Sequence, residues 1–354
     1  MSTVLQRDLA SFSQDFLPLN GADYIEFYVG NAQQAAYYYR MAMGMSWIAY
    51  SGPETGSSDR TSFVLEQGNV RFVLTSPLRP GTEMAEHIHR HGDGVRDMAF
   101  CVDDARLAWR EATRRGARSV REPLEARDEY GLVRTASIAA YGETIHTFVE
   151  RHSYRGPFLP GYTAVPHDPL ARSTGLAQVD HVGANVGWNA LNRWKGFYSQ
   201  VLGFSASAAP SESVSVPARS ALMTKPLSIG RGQLRFALKQ PPEQRPDGSA
   251  ESPLVDYLMF NHGPGVEHIG LATTDILFTV ARMREQGVQF VPSHSLPSVE
   301  MAKPPAWLRE PVSELRRLGI GIGCDQDGPM LEIATRPVED RPTLFFKIIQ
   351  RNGR

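Results

Sequence analysis

One pattern of residues occurs four times along the chain, and it restricts the possible folds more than any other feature of the sequence. Each copy starts with an acidic residue and one variable residue, continues as a strand of alternating apolar residues, and passes into a helix that stops at a glycine. The acidic residues are Asp23, Asp97, Asp180 and Glu267, and the glycines are Gly44, Gly116, Gly203 and Gly287. A strand–helix unit repeated in this way predicts an architecture of packed copies of one supersecondary module.

Further strands follow the helix in each copy, which predicts a strand–helix–three-strand (βαβββ) module. After the first helix, residues 62–66 and 70–74 indicate two strands joined by a turn at Gly68. The fourth copy carries an insertion with a helix expected over 312–318. Its closing strands are expected at 319–324, 330–335 and 343–350.

The chain is expected to divide into two domains, because its 354 residues are enough for two separate cores. Residues 156–175 are rich in Pro and Gly without a periodic pattern, which favours a connector. We therefore expect an α+β fold of two open barrels, an N-terminal domain over 1–155 and a C-terminal domain over 176–354, each with two modules. Residues before about Leu19 are expected to form a polar lead-in, and residues 241–252 a loop before the fourth module.

Alignment of the four copies on their acidic residue compares equivalent positions within one chain. The residue that follows the acid is, in order, Tyr24, Met98, His181 and His268. A lone histidine in an apolar strand is usually a hydrogen-bonded core residue, but the packing of a core does not explain histidine in only one half of a repeat. The pattern therefore predicts a metal site in the C-terminal domain, with His181 and His268 as ligands, and none in the N-terminal domain.

A second group of histidines lies on a polar helix expected over 84–90. Of His87, His89 and His91, only His87 and His91 are spaced to share a helix face. Because the sequence places no carboxylate on that face, we interpret this segment as a solvated helix.

Composition excludes several classes of function. The formal net charge is −1 and no basic stripe occurs, so a nucleic-acid partner is not expected. Only Cys101 and Cys324 are present, which is typical of a protein of the reducing cytoplasm. The sequence has no signal-peptide pattern and no apolar run long enough to span a bilayer, so no membrane partner is expected.

Nearly the whole chain resembles the 4-hydroxyphenylpyruvate dioxygenase family, a branch of the vicinal oxygen chelate superfamily that is built from paired βαβββ modules. The stretches that carry the resemblance are 29–38, 90–97, 156–162, 263–269 and 340–351. The resemblance implies a ferrous ion held by two histidines and one carboxylate, with open positions for a 2-oxo acid substrate and for dioxygen. His181 and His268 fall on the two family histidines. The family chemistry is an oxidative decarboxylation that gives homogentisate or hydroxymandelate.

The third metal ligand of the family is replaced in this chain. The family has Glu in the motif Phe-x-Glu-x-Ile-Gln-Arg, where this chain has Lys347. A lysine charge about 4 Å from a divalent ion would cost about 8 kcal/mol at an effective dielectric constant near 20. Glu332 is the candidate replacement ligand, with Lys347 as its charge partner. The alternative is a Glu332–Lys347 ion pair that fills a site without metal.

The resemblance also implies a changed substrate pocket. Thr224 replaces a family Ser, Lys239 an amide, Glu267 the Gln before the second histidine, and Ala334 a Phe. Phe345 is retained. Lys239 or Lys347 is expected to receive a carboxylate or another anionic group. The sequence ends at Arg354, before the glycine-rich segment and gating helix of the family, so a more open pocket, or one closed by a partner chain in a homo-oligomer, is expected.

These observations leave three hypotheses. The first is a metal-dependent oxygenase for an aromatic 2-oxo acid or related small molecule, with Fe(II) or another divalent ion on His181, His268 and Glu332. The second is an isomerase or lyase that uses Glu332 or Lys347 as acid or base. The third is a binding protein in which Glu332 and Lys347 plug the cavity.

Overall fold

The computed structural model describes residues 15–166, 168–208, 219–228, 232–242, 252–297, 305–325 and 327–351. Most of the expected polar lead-in and most of the expected loop over 241–252 lie outside these ranges. Both cysteines lie within them and are free thiols. Within the described ranges, no helix is long and apolar enough to cross a membrane.

The first half of the chain forms one sheet with three helices. Its strands are β1 (Gly21–Tyr28), β2 (Ser46–Ser51), β3 (Arg60–Gln67), β4 (Val70–Pro77), β5 (Gly94–Cys101), β6 (Ser119–Asp128), β7 (Gly131–Ala139), β8 (Ile145–Glu150) and β9 (Thr163–Ala164). Its helices are α1 (Ala32–Met43), α2 (Glu83–His91) and α3 (Ala105–Arg114).

The second half forms another sheet. Its strands are β10 (Leu176–Asn185), β11 (Ser205–Ala208), β12 (Arg219–Pro226), β13 (Gln233–Gln240), β14 (Gly265–Thr273), β15 (Phe290–Val291), β16 (Gly321–Asp325), β17 (Gly328–Thr335) and β18 (Phe345–Arg351). Its helices are α4 (Leu191–Gln200), α5 (Pro253–Phe260), α6 (Ile276–Glu285) and α7 (Val312–Arg317).

All four modules follow the same pairing rule. The first strand of each module pairs in parallel with the last, as β1 with β4, β5 with β8, β10 with β13 and β14 with β18. The modules of each half are joined through their antiparallel first strands, β1 with β5 and β10 with β14. The strand orders are β6-β7-β8-β5-β1-β4-β3-β2-β9 and β11-β12-β13-β10-β14-β18-β17-β15, with β16 on β17. The predicted α+β fold of four βαβββ modules is therefore confirmed.

The helix α7 and the closing strands lie within two residues of their predicted bounds, whereas α5 was not predicted. Asp275 caps α6, since its side chain accepts from the backbone N–H of Phe278 at 2.9 Å. The strand expected over 319–324 is Gly321–Asp325 instead. Gly319 adopts φ +68° just after α7, a left-handed conformation that favours glycine and delays the strand.

The two sheets share a continuous apolar core. The rings of Phe72 and Phe346 lie 5.9 Å apart, and those of Phe100 and Phe236 lie 6.2 Å apart. The connector is attached to the first sheet, because its short strand β9 pairs with β2. The sheets change at the connector, as the proposed domain limits require, but the limits themselves stay a prediction.

Each half contains a buried carboxylate held by two arginines in equivalent places. In the first sheet, Asp23 on β1 lies 2.7 Å from Arg151, just after β8, and 3.9 Å from Arg71 on β4. In the second sheet, Asp180 on β10 lies 2.6 Å from Arg351 at the end of β18 and 3.5 Å from Arg235 on β13. β5 lies between β1 and β8, and β14 lies between β10 and β18. The Asp23–Arg151 and Asp180–Arg351 pairs therefore hold the two modules of each half together.

The residue before each outer arginine caps a helix. Glu150 accepts from the backbone N–H of Ala105 at 3.1 Å, and Gln350 accepts from that of Ile276 at 2.8 Å. These are the first residues of α3 and α6. The last strand of each half therefore orients both a helix and a buried acid.

The variant Arg151→Gln should lower the free energy of unfolding by about 3 kcal/mol, because it removes the closer cation from a buried carboxylate. Chemical denaturation at constant pH measures the loss. Arg155→Gln is the matched control, since Arg155 is exposed. Equal stability of the two variants would contradict this role of Arg151.

Stability should also respond to pH through Asp97, since burial raises the pKa of Asp97 to about 7. An unfolded Asp has a pKa near 3.9, so the folded form binds the proton more tightly. The stabilisation is complete below about pH 4 and is lost as pH rises through about 7. Asp97→Asn should remove this decline between pH 4 and 8 and leave an acceptor for the hydroxyl of Thr147. The exposed Asp256→Asn is the control, and a decline of equal size in both variants would refute the assignment.

Candidate metal centre

Cross-strand register brings most of the predicted site residues onto one face of the second sheet. Directly paired residues share a face, as do residues two apart on one strand. One row across β10, β14, β18 and β17 consists of His181, Gly270, Lys347 and Ala334. The neighbouring row across β13, β10, β14 and β18 consists of Ala237, Gly183, His268 and Phe345.

Two glycines make room for the two imidazoles. A Cβ at Gly183 would lie 2.0 Å from the His268 ring, and a Cβ at Gly270 would lie 2.5 Å from the His181 ring. Each glycine follows the histidine of its own strand by two residues and makes room for the histidine of the paired strand. The sequence signal for this space was therefore a His-x-Gly spacing in both copies. In the first half, Tyr24 pairs with Ala99 and Glu26 with Asp97, so Glu26 and Ala99 take the places of the two glycines, and Asp97, not the expected Met98, takes the place of His268.

The two histidines converge through their Nε2 atoms, which lie 3.0 Å apart. Two nitrogens that each bind one ion at about 2.1 Å and at right angles lie about 3.0 Å from each other. Nδ1 of His181 lies 3.0 Å from a carboxylate oxygen of Asp180. Because a carboxylate only accepts, Nδ1 carries the proton and Nε2 offers its lone pair. The donor pair fits a divalent ion.

Charged neighbours fix the protonation of this site. Burial would raise the pKa of Asp180, but hydrogen bonds from His181 and Arg351 hold it well below its usual range. Burial, together with the charge of Lys239, lowers the pKa of His268 to about 3. His268 is therefore neutral at physiological pH, as a metal ligand must be. Its ring stacks on Phe345 at 5.0 Å and an interplanar angle of 19°.

An ion pair lies at Lys347, where the resemblance implies the third family ligand. Nζ of the buried Lys347 lies 3.6 Å from a carboxylate oxygen of Glu332. Among the described residues, His181, His268 and Glu332 do not form a group whose ligand atoms all lie within 4.8 Å of one another. The structure thus brings the two histidines together, and it brings Glu332 to Lys347.

The predicted substrate residues Lys239 and Glu267 form a second lysine–glutamate contact on this face. In the register of β10 with β14, Gly183 pairs with His268 and Ala184 with Val266, so Glu267 is the extra residue of a bulge. Its carboxylate lies 3.6 Å from Nζ of Lys239 and 3.6 Å from Nδ1 of His268. Thr224 lies on β12, paired with Arg235.

The interpretation of α2 as a solvated helix is wrong. His87 and His91 are each only 8% exposed, and Glu143, from the turn between β7 and β8, lies 2.7 Å from His87. The sequence did not point to Glu143 because it follows His87 by 56 positions on another element. The His87–His91 spacing was the available signal.

Comparison with known proteins agrees with this architecture. The family model described as "Hydroxyphenylpyruvate dioxygenase, HPPD, N-terminal" matches residues 14–158. The model described as "Glyoxalase/Bleomycin resistance protein/Dioxygenase superfamily" matches residues 178–295. The first match spans both modules of the first half, and the second spans the third module and the start of the fourth.

Relatives match over most of their length. The 4-hydroxyphenylpyruvate dioxygenase of Neurospora crassa is 38% identical over 98% of this chain and 90% of that protein. The enzyme of the same name from Yarrowia lipolytica is 38% identical over 94% of this chain and 87% of that protein. A solved structure of a mutant 4-hydroxymandelate synthase from Streptomyces coelicolor superposes with a TM-score of 0.79 at 27% identity, covering 95% of this chain and 94% of that one. The chain therefore belongs to the 4-hydroxyphenylpyruvate dioxygenase family and has the vicinal oxygen chelate fold.

Proposed function

We propose that this protein is a non-haem iron oxygenase that acts on an aromatic 2-oxo acid or a related compound. The observation that carries the proposal is the convergence of the His181 and His268 Nε2 atoms at 3.0 Å, with Nδ1 of His181 on Asp180. Relatives that are named 4-hydroxyphenylpyruvate dioxygenase, and the related 4-hydroxymandelate synthase, support the reaction class. A ferrous ion held by these histidines would supply open positions for a 2-oxo acid group and for dioxygen.

The protein's own residues orient the two ligands and exclude water. Asp180, itself held by Arg351 and Arg235, keeps the proton of His181 on Nδ1. Phe345 packs flat against His268, which is fully buried. This packing restricts rotation of the ring and excludes solvent from one side of the centre.

Glu332 is the proposed third ligand, and Lys347 its charge partner. The contact of 3.6 Å between them keeps the carboxylate next to the row that contains His181. Glu332 is two residues from Ala334 on the same face of β17, and Ala334 pairs with Lys347. In this proposal the ligand carboxylate comes from β17 in place of β18.

The charges on this face indicate a substrate with more than one anionic group. Lys239 with Glu267 and Lys347 with Glu332 sum to zero, and a divalent ion adds two positive charges. The family arrangement of two histidines and one carboxylate leaves one positive charge, which a 2-oxo acid balances. Lys239 is the proposed partner of the additional anionic group, beside Glu267, and Thr224 lies four pairs further along β12 and β13.

The Lys347–Glu332 pair is also the observation that favours a different class of function. A lysine and a carboxylate in contact can act as acid and base in an isomerase or lyase, or they can fill the cavity of a binding protein. Activity that survives chelation of metal would indicate the first alternative, and tight ligand binding without turnover the second. A cytoplasmic location and a homo-oligomer stay predictions.

Protein purified without oxygen and reconstituted with Fe(II) should hold iron at this centre, and His181→Ala should lose it. Imidazole ligands supply most of the donor strength here, so removal of one should weaken iron binding by at least about 10-fold. Metal analysis after gel filtration measures the iron, and oxygen uptake with aromatic 2-oxo acids measures activity. Equal iron in both proteins would contradict the proposed ligand.

Glu332→Gln should lose iron and oxygen uptake, whereas Lys347→Ala should retain iron. Gln keeps the size of the side chain but removes the charge that stabilises the ion. Glu285→Gln, on the exposed side of α6, is the matched control. Full iron binding by Glu332→Gln would refute the replacement of the family ligand.

A further inference from the structure

A second cluster of metal-binding side chains lies where the two halves meet. Its members are His87 and His91 of α2 and Glu143 of the β7–β8 turn, whose ligand atoms all lie within 4.8 Å of one another. We propose that this cluster binds a divalent ion of the zinc class, separately from the centre at His181 and His268.

The helix places both imidazoles on one face. His87 and His91 are four residues apart, and their ring centroids lie 4.5 Å apart. Nδ1 of His87 lies 2.7 Å and Nε2 of His91 lies 3.4 Å from the same carboxylate oxygen of Glu143. Arg90 contacts the other oxygen of that carboxylate. Three donor atoms of two elements thus converge on one point. Because a carboxylate only accepts, Nδ1 of His87 donates its proton to Glu143 here, and a bound ion would displace that proton.

The tautomer of His91 points a lone pair into the cluster. Nδ1 of His91 lies 2.6 Å from the backbone carbonyl oxygen of Asn261, which can only accept, so Nδ1 carries the proton. Nε2 is then an acceptor, and this buried atom has no hydrogen-bond partner in the described part of the chain. It faces a carboxylate oxygen that is also an acceptor. A cation between them satisfies both atoms, which a direct contact does not.

The surroundings leave room for an ion with one further ligand. A cavity of about 20 Å³ is lined by all three side chains, and a volume of about 10–15 Å³ suffices for one water molecule. Two imidazoles and one carboxylate form a donor set typical of zinc with an open fourth position. Oxygen-only cages, which calcium and magnesium prefer, do not resemble it.

The turn that carries Glu143 packs closely against the second half. Gly142 adopts φ +58°, and a Cβ there would lie 2.1 Å from the carbonyl oxygen of Pro264 in the second half. The turn can therefore approach the second half only with glycine at this position, and Glu143 follows directly. Asn261 ends α5, which stands between β13 and β14 as α2 stands between β4 and β5. The ion would bind at the contact of these two equivalent helices and couple the halves.

Zinc titration of metal-free protein by calorimetry tests the proposal. In a His181→Ala, His268→Ala background, we expect one zinc ion per chain. Addition of His91→Ala or Glu143→Gln should weaken that binding by at least about 100-fold, as expected for direct ligands compared with their outer partners. His89→Ala is the matched control, since His89 is exposed on the same helix. Its zinc affinity should equal that of the background.

Two results would overturn the second site: no zinc binding by the background, or equal affinity in the His91→Ala, Glu143→Gln and His89→Ala forms. Glu143→Gln preserves shape, so it decides the question if His91→Ala does not fold. In the otherwise unchanged protein, His91→Ala should keep Fe(II) at the first centre. Loss of zinc with retained iron therefore separates this proposal from the function proposed above.

Discussion

The buried pairing of Asp180 with Arg351 and Arg235 is the interaction on which the rest of the proposed metal centre depends. A carboxylate in this position is costly to bury, and its arginine partners offset the cost only while β10, β13 and β18 keep their relative positions. Arg351 contacts both carboxylate oxygens of Asp180, at 2.6 and 2.9 Å. Nδ1 of His181 lies 3.0 Å from one of these oxygens. The same pairing therefore fixes the sheet and selects the tautomer of a metal ligand.

The first half repeats this framework without its chemistry. Asp23 has its own arginines at equivalent positions, yet Tyr24 occupies the place of the first histidine. The positions of the two glycines are taken by Glu26 and Ala99 in the first half, and the position of His268 by Asp97. A histidine alone would not have made the centre, because each imidazole also needs a glycine across the strand pair. Ligand and space had to change together, and they did so in one half only.

Sequence reasoning reached the parts of this structure that are encoded locally or by repetition. The modules and the helix α7 follow from hydrophobic periodicity within short windows. His181 and His268 were singled out because the repeat allowed equivalent positions to be compared, and their roles stay predictions. The contact of Glu143 with His87 depends on two elements that only the folded sheet brings together. A shift of one turn residue, such as Gly142, would have moved Glu143 away from His87, so no local sequence pattern encodes this contact.

A lysine at position 347, beside the proposed ion, changes what the proposed centre requires from its substrate. Lysine next to a divalent ion repels it by several kcal/mol at an effective dielectric constant near 20, and Glu332 at 3.6 Å offsets one charge only. If Glu332 serves the metal, it serves Lys347 at the same time, and the ion, Lys347 and Glu332 together carry two positive charges. Burial of Lys347 restricts screening by water. The 2-oxo acid group of a substrate balances one of these charges and an additional anionic group balances the other, so metal retention and substrate binding should reinforce each other in this protein.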